Sequence, residues 1–306
     1  MKPAIDIVIP VYNEAKTIRD NVLFIDGILK DIPHRFVIVN DGSRDNTWEI
    51  ITDLYDEAVC ITAISLSRNF GKEAAICAGL AEVDAQGCVV MDADLQHPPE
   101  MIGAMYQKWL EGWSIVECVK KSRGKEGVAN KLSAGFFYSV INKVTAFDFS
   151  GSSDFMLLDT AVIKALSEMG DTTVFFRGMV EWLGFEKYRL PFDVRERTGG
   201  KSRFTRMKLA AFALNAISLF SSKPLLLTVI IGIAFFVGAF LLILQTLFNK
   251  FTGASVSGFT TVIILVLVVG GLILFGMSVI AMYIARIFDE VKGRPRYVVK
   301  KKIENR

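Results

Sequence analysis

Two long stretches of this sequence carry no charge. No charged residue falls between Pro224 and Asn249, and none falls between Phe251 and Ala285. Each run exceeds the roughly 20 residues with which an α-helix crosses about 30 Å of hydrocarbon. An ordinary soluble enzyme is thereby excluded, and two transmembrane helices are predicted, over about 225–248 and about 259–284. Buried core helices are the other way to house such runs, and their uninterrupted length argues against it. Acid is also scarce at this end. Residues 203–306 hold 13 Lys and Arg against 3 Asp and Glu, a balance of +10, while residues 1–202 have a balance of −7. Cysteine is sparse: Cys60, Cys77, Cys88 and Cys118 show no CxxC spacing and read as reduced core residues rather than disulfides or metal ligands. A signal-peptide layout is missing from the first residues, where Asp6 interrupts a very short apolar stretch. There is no internal repeat, low-complexity tract or flexible linker.

The positive charge brackets the apolar runs, which speaks against nucleic acid as a partner. Arg203, Arg206, Lys208 and Lys223 precede the first run; Arg286, Lys292, Arg294, Arg296 and Lys300–Lys302 follow the second; the connecting loop has only Lys250. By the positive-inside rule both termini are cytoplasmic and the loop around 250–257 is external. The same basic residues can hold anionic lipid headgroups. Residues 204–222 can form a helix with an apolar face and basic flanks, which would lie in the membrane interface.

The first 200 residues alternate short β-branched runs with longer amphipathic ones. Strands are predicted over Ile5–Val11, Phe36–Asn40, Ile61–Leu66, Gly87–Met91 and Ser114–Cys118, with helices over Glu14–Leu29, Asn46–Asp56, Lys72–Val83 and Pro98–Glu111. Such alternation makes an α/β domain with a mostly parallel sheet covered on both faces. Between 120 and 202 the pattern turns irregular and polar. In such sheets ligands bind beyond the carboxyl ends of the strands, and those ends carry Asn13-Glu14, Asp41-Gly42-Ser43 and Asp92-Ala93-Asp94. Three acidic or polar clusters therefore converge on one edge.

Asp92 and Asp94, two residues apart at a strand end, can share a hard divalent cation with a substrate diphosphate; a turn or cap explains a lone DxD equally well. Gln96 can add an oxygen, and His97 reads as a loop histidine. Asp41 can hold a base or ribose, while Ser43 and Asp45 also suit a turn before a helix. Glu14 also suits a helix N-terminus. The segment 195–203 is basic and glycine-containing, so Arg197, Lys201 and Arg203 can close over a diphosphate, or it is a solvated linker. Lys121, Arg123 and Lys131, in a cluster with Lys120 and Lys125, can meet an acceptor phosphate or form a solvated face.

The blocks IVIPVYNE at 7–14, VNDGSRDNT at 39–47, SRNFGKEAA at 67–75 and MDADLQHPPE at 91–100 resemble family-2 glycosyltransferases of the GT-A fold. Two C-terminal spans make the chain similar to the polyprenyl-phosphate branch, with dolichyl-phosphate mannose synthases and, more closely, bactoprenol glucosyltransferases. The resemblance extends to RPRYVVKK at 294–301. It implies that Pro10, Tyr12, Glu14 and Asp41 surround the nucleotide, and that Asp92, Asp94 and Gln96 coordinate Mg²⁺ or Mn²⁺. Arg197, Lys201 and Arg203 would lie over the donor diphosphate. Asp154 stands where such enzymes show Gly-Asp-Phe near the sugar, although Ser153 replaces the Gly here; a cap on the helix from about Thr160 is the plainer role for it. Asp94 and Asp154 would be the catalytic carboxylates.

The implied organisation is a cytoplasmic GT-A catalytic domain over 1–202, an amphipathic interfacial helix over 203–223, two transmembrane helices within 224–285 and a basic cytoplasmic tail over 286–306. The implied reaction is inverting transfer of a hexose to a polyprenyl phosphate at the cytoplasmic face of the bacterial inner membrane. The NFGKE block favours glucose from UDP-glucose, with mannose, GlcNAc and galactose donors left open. Related membrane enzymes can assemble, which leaves room for a homo-oligomer. A processive polysaccharide synthase would carry Gln-x-x-Arg-Trp and more spans; Arg177–Trp182 (RGMVEW) does not match. A non-catalytic membrane scaffold is the rival outside enzymes, and the intact Asp92/Asp94 pair argues against it.

Overall fold

The computed structural model describes residues 4–56, 60–120, 152–171, 174–192, 223–252 and 258–304. The chain divides into two units, one of residues 1–205 and 294–306, the other of residues 206–293.

The first unit is built on one eight-stranded sheet. In chain order its described elements are β1 (Ile5–Val11), α1 (Ile18–Ile28), β2 (His34–Asn40), α2 (Thr47–Asp56), β3 (Ile61–Leu66), α3 (Lys72–Leu80), β4 (Gly87–Val90) and α4 (Met101–Leu110). These are followed by β5 (Ile115–Lys120), β6 (Met156–Asp159), α5 (Thr160–Glu168), α6 (Phe176–Leu183), β7 (Lys187–Phe192) and, far along the chain, β8 (Val299–Glu304). The strand order is β7-β5-β6-β4-β1-β2-β3-β8. β1 is central and pairs in parallel with β2 and β4, and β2 pairs in parallel with β3. β6 runs antiparallel between β4 and β5, and β7 is parallel to β5. The sheet is mixed and mostly parallel, as the alternating pattern predicts.

The apolar runs are continuous because both faces of a parallel sheet are covered. Along β2, Phe36 and Ile38 pack into one core cluster, with Ile18, Val22 and Ile25 of α1 and Leu54 of α2; Val37 and Val39 pack into the other, with Ala75 and Ile76 of α3 and Val162 of α5. At the amino edge Asp6 and Arg35 are both buried and paired through two hydrogen bonds of 2.9 and 2.6 Å. Asp6 also accepts the amides of Asp84 and Ala85. The pair locks the edge opposite the clusters of acidic residues.

Several elements differ from expectation. α1 begins at Ile18 rather than Glu14, because Thr17, at φ −126°, departs from helical geometry and stands as the N-cap after a turn closed on the Glu14 carbonyl. β6 and α6 emerge from the stretch that reads as irregular and polar, whereas α5 starts at Thr160, where a helix is expected. Residues 299–304, which fall within the expected basic tail over 286–306, form β8, antiparallel to β3, with Thr62 opposite Glu304 and Ser65 opposite Lys301. An edge strand can carry solvent-facing lysines, which also discourage pairing with another chain; that is why VKKKIE does not read as a strand. Of the four free cysteines, Cys88 and Cys118 are buried as expected, Cys77 is half-buried, and Cys60 is exposed.

The second unit holds two long helices, α7 (Lys223–Phe251) and α8 (Phe259–Val291). Their apolar side chains are widely exposed: Phe236 is 75% and Val266 64% accessible. Among the described residues Val268–Val291 is long and apolar enough to cross a membrane, and Thr228–Leu242 forms a shorter apolar stretch. Nearly all of the expected interfacial helix over 203–223 lies outside the described residues.

Candidate active site

β1, β2, β3 and β4 are parallel, so their carboxyl ends open on one edge. β6 runs the opposite way, with Met156 opposite Val90, so the chain entering β6 reaches that same edge and brings Asp154 to it. The structure thus gathers the ends of five strands where the sequence placed three clusters.

At the centre lies an ion network. The Lys72 ammonium, at the start of α3, is 2.6 Å from Asp92 Oδ1 and 2.5 Å from Asp154 Oδ2. Arg177 of α6 holds the same Asp154 through Nε at 2.5 Å and Nη2 at 3.1 Å, and its Nη1 donates to the Ser152 carbonyl. Asp154 is only 3% exposed. Burial disfavours its charge, but Arg177 and Lys72 outweigh that and hold its carboxyl well below the usual carboxylate range. For Lys72 burial likewise opposes the charge, and Asp154 and Asp92 more than restore it. Asp154 is not a helix cap. That role belongs to Asp159, whose Oδ1 accepts the Ala161 amide at 2.9 Å. The Ser153 that departs from Gly-Asp-Phe donates its hydroxyl to the Cys118 carbonyl at 2.5 Å, which fixes the turn before Asp154 to β5.

Behind this network stands an aromatic wall. His97, expected in a loop, is only 6% exposed; it stacks on Phe155 at 5.2 Å and meets Phe192 edge-on at 5.9 Å.

Toward β2 the edge is closed by backbone-directed bonds. The Asn13 amide donates to Ser43 Oγ, the Arg44 amide to Asn13 Oδ1, and the Glu14 amide to Thr47 Oγ1, all within 3.0 Å. Pro10 sits within β1, Tyr12 is 40% exposed, and the Glu14 carboxylate accepts the Thr17 hydroxyl at 2.9 Å. Asp41 is buried, and its two oxygens accept the Phe70 amide at 2.7 Å and the Gly71 amide at 2.9 Å. Burial raises its pKa against those two bonds. Asp41 therefore anchors the loop that leads into Lys72, a role that the sequence did not suggest. Gly42 makes this possible: at φ +62°, a Cβ there would lie 2.4 Å from the Arg68 backbone carbon.

Asp94 is exposed, one residue before Leu95 at φ 54°. Gln96 donates to it twice, through its backbone amide at 3.1 Å and through its side-chain Nε2. Expected as an oxygen ligand, Gln96 here turns its amide donor toward Asp94 and buttresses that carboxylate. Among the described residues no group of three or more His, Cys, Asp or Glu gathers to cage a metal. Mg²⁺ is commonly held by one or two carboxylates, with substrate phosphates and water completing the shell. Asp92 and Asp94 supply that donor set, so the residues fit a metal shared with a diphosphate.

Arg197, Lys201, Arg203, Lys121, Arg123 and Lys131 lie outside the described residues. Lys72, Glu73 and Arg177 were missed as site residues. The signal for the first two was their place in SRNFGKE, directly after the carboxyl end of β3; Arg177 had none, since α6 is short and distant in sequence.

Residues 6–166 match the family described as glycosyl transferase family 2. A protein called uncharacterized glycosyltransferase YkcC from Bacillus subtilis is 35% identical over 98% of this chain and 95% of its own length. The SfII prophage-derived bactoprenol glucosyl transferase of Shigella flexneri is 33% identical, covering 97% of each. A prophage bactoprenol glucosyl transferase homolog of Escherichia coli K12 is 31% identical over 97% of this chain and 98% of its own length.

Proposed function

The chain belongs to glycosyl transferase family 2, and we propose that it moves a hexose, glucose from UDP-glucose in the first instance, onto a polyprenyl phosphate. The transfer is a single in-line displacement with inversion at the anomeric carbon. It takes place at the cytoplasmic face of a bacterial inner membrane. The observation that carries this proposal is the meeting of Asp92 and Asp154 on the one Lys72 ammonium at the carboxyl edge of the sheet. Relatives named bactoprenol glucosyl transferase, alike along nearly their whole length, support the lipid acceptor.

Asp92 and Asp94 would hold Mg²⁺ or Mn²⁺, which when bound supplies Lewis-acid neutralisation of the departing diphosphate. Tyr12, Glu14 and Asp41 line the side where the nucleoside would sit. Lys72, with 38% of its side chain exposed, can turn from its carboxylates to incoming phosphate or sugar oxygens. Asp154 is a weak base because its proton affinity is so low, so it acts as a fixed negative charge. It positions the sugar and offsets the positive charge that develops at the anomeric carbon. No strong base is required, since a phosphate monoester with a second pKa near 6 is already ionised at neutral pH. The Arg197, Lys201 and Arg203 segment would close over the diphosphate, and Lys121, Arg123 and Lys131 would receive the acceptor phosphate.

The sheet itself supports two membrane crossings. β7 ends at Phe192 and β8 begins at Val299, and both belong to one sheet. A chain that leaves a sheet on one side of a membrane and returns to it must cross an even number of times. α8 contains a stretch of spanning length, so α7 is its return partner, with residues 203–223 as an interfacial helix ahead of it.

The test uses detergent-purified protein, undecaprenyl phosphate, Mg²⁺ or Mn²⁺, and labelled UDP-glucose, UDP-galactose, UDP-GlcNAc and GDP-mannose in parallel. Label should pass from UDP-glucose into a lipid-extractable product and be lost in Asp94→Asn. Transfer from another donor would reassign the sugar, and transfer from none would overturn the proposal.

A further inference from the structure

Glu73 has no part in the transfer described above, yet it is wired into the Asp154 centre. It follows Lys72 in α3, and its Oε2 accepts the Phe176 amide at 2.7 Å. That amide belongs to the first residue of α6, where unpaired N–H groups and the helix dipole favour an acceptor. The next residue is Arg177, whose guanidinium grips Asp154. Two consecutive residues of α3 therefore reach one carboxylate by two routes. Lys72 touches it directly, and Glu73 acts through the start of α6 and Arg177.

We propose, on the basis of the transfer reaction above, that Glu73 is a positioning residue whose protonation sets how firmly Arg177 and Lys72 hold Asp154. A neutral Glu73 still accepts the Phe176 amide and leaves both cations to Asp154. An ionised Glu73 places a second negative charge beside Asp154 and draws on the same two cations. Three charged groups act on it: Asp154 before β6, Arg177 on α6, and Lys72 on its own helix. Cys77, one turn further along α3, is influenced by Glu73 but engages Arg296. Lys164 and Glu168 of α5 are exposed. Asp6 and Arg35, beneath α3, are bonded to each other, and Asp41 is bonded to the Phe70 and Gly71 amides. Burial, reinforced by the charge of Asp154, pushes the Glu73 pKa up to about 7 against the Phe176 amide and the two cations. The device would therefore work around neutrality.

The experiment compares wild type, Glu73→Gln and Glu73→Ala in transfer to undecaprenyl phosphate, with kcat and KM followed from about pH 5 to about pH 9. Gln keeps an oxygen for the Phe176 amide but cannot ionise. Wild-type kcat should fall on the alkaline side with an inflection near pH 7, while KM for the nucleotide sugar changes little. Glu73→Gln should lose that inflection, and Glu73→Ala should lose it with a lower kcat at every pH. The acceptor phosphate titrates alike in all three, so the difference between profiles isolates Glu73. An unchanged inflection in Glu73→Gln, or a KM effect without a kcat effect, overturns the proposal. Thermal melting of the same proteins keeps the two ideas separable. If wild type transfers no sugar at any pH, the transfer reaction falls and melting decides the Glu73 claim. A raised acid pKa makes the fold lose stability as pH climbs from 4.5 toward 7, and Glu73→Gln should show no such loss. Parallel melting profiles would overturn the claim.

Discussion

Lys72 Nζ lies 2.5 Å from Asp154 Oδ2, although 82 positions separate the two residues in sequence. One comes from the helix after β3 and the other from the chain before β6, an antiparallel insertion in a run of parallel strands. The contact exists because that reversal returns Asp154 to the edge where β3 and β4 end. It ties the SRNFGKEAA block at 67–75 to the segment that leads into β6 through a single charge.

Removing either partner should cost catalysis more than folding. Lys72→Met and Asp154→Asn are each expected to lower kcat by about 10²–10³-fold, as loss of one preorganised electrostatic group does. Binding of UDP, measured by calorimetry, should change far less in Asp154→Asn than in Lys72→Met, because the proposed role of Asp154 is toward the sugar and that of Lys72 extends to phosphate. A double variant much less impaired than the product of the two single losses would show that they act as one unit.

Asp154 also sets an acid limit. Its folded-state pKa is depressed below the ordinary 3.8, chiefly by Arg177 and Lys72 acting against burial. A depressed carboxyl contributes stability that is fully present above the unfolded value and is lost as pH falls toward the folded value. Wild-type melting temperature should therefore drop steeply below about pH 4, and Asp154→Asn should show a shallower fall. Thermal melts in acidic buffers read the difference directly.

Much of this site could be read from the sequence, for a specific reason. Asp41, Asp92 and Asp94 each follow an apolar run that can only be a buried strand, so their shared edge follows from the parallel alternation. Lys72 and Glu73 lie in the NFGKE block, whose resemblance points to a glucose donor without marking either residue, because only the structure shows what an α3 side chain faces. Arg177 of α6 and Asp154 of the chain before β6 both come from the stretch whose sequence pattern is irregular, so no periodicity brings them together. β8 stayed hidden because its lysines resemble a tail and its partner, β3, is over 200 residues upstream.

Gly42 should not tolerate a side chain. At φ +62° an alanine Cβ would strike the Arg68 backbone at 2.4 Å, and that backbone cannot rotate aside. Gly42→Ala should destabilise the fold by about 1–3 kcal/mol, measured by denaturant titration. It should also weaken catalysis, since the displaced loop carries Lys72.

The proposed pair of membrane crossings has a direct readout. In a Cys60→Ser background, which removes the exposed native thiol, Ser255→Cys should react with a membrane-impermeant maleimide added to intact cells. Lys301→Cys, in the strand paired with β3, should react only after the cells are opened. Labelling of both in intact cells, or of neither, would contradict two crossings.

The most direct test of the central claim is the stoichiometry of nucleotide release against lipid glycosylation, followed by mass spectrometry as undecaprenyl phosphate is added. The account predicts that UDP release requires the lipid phosphate and equals the hexosyl lipid formed, and that both fall together by the same large factor in Asp154→Asn. Nucleotide release that ignores the lipid, or hexosyl lipid formed undiminished by Asp154→Asn, would contradict it.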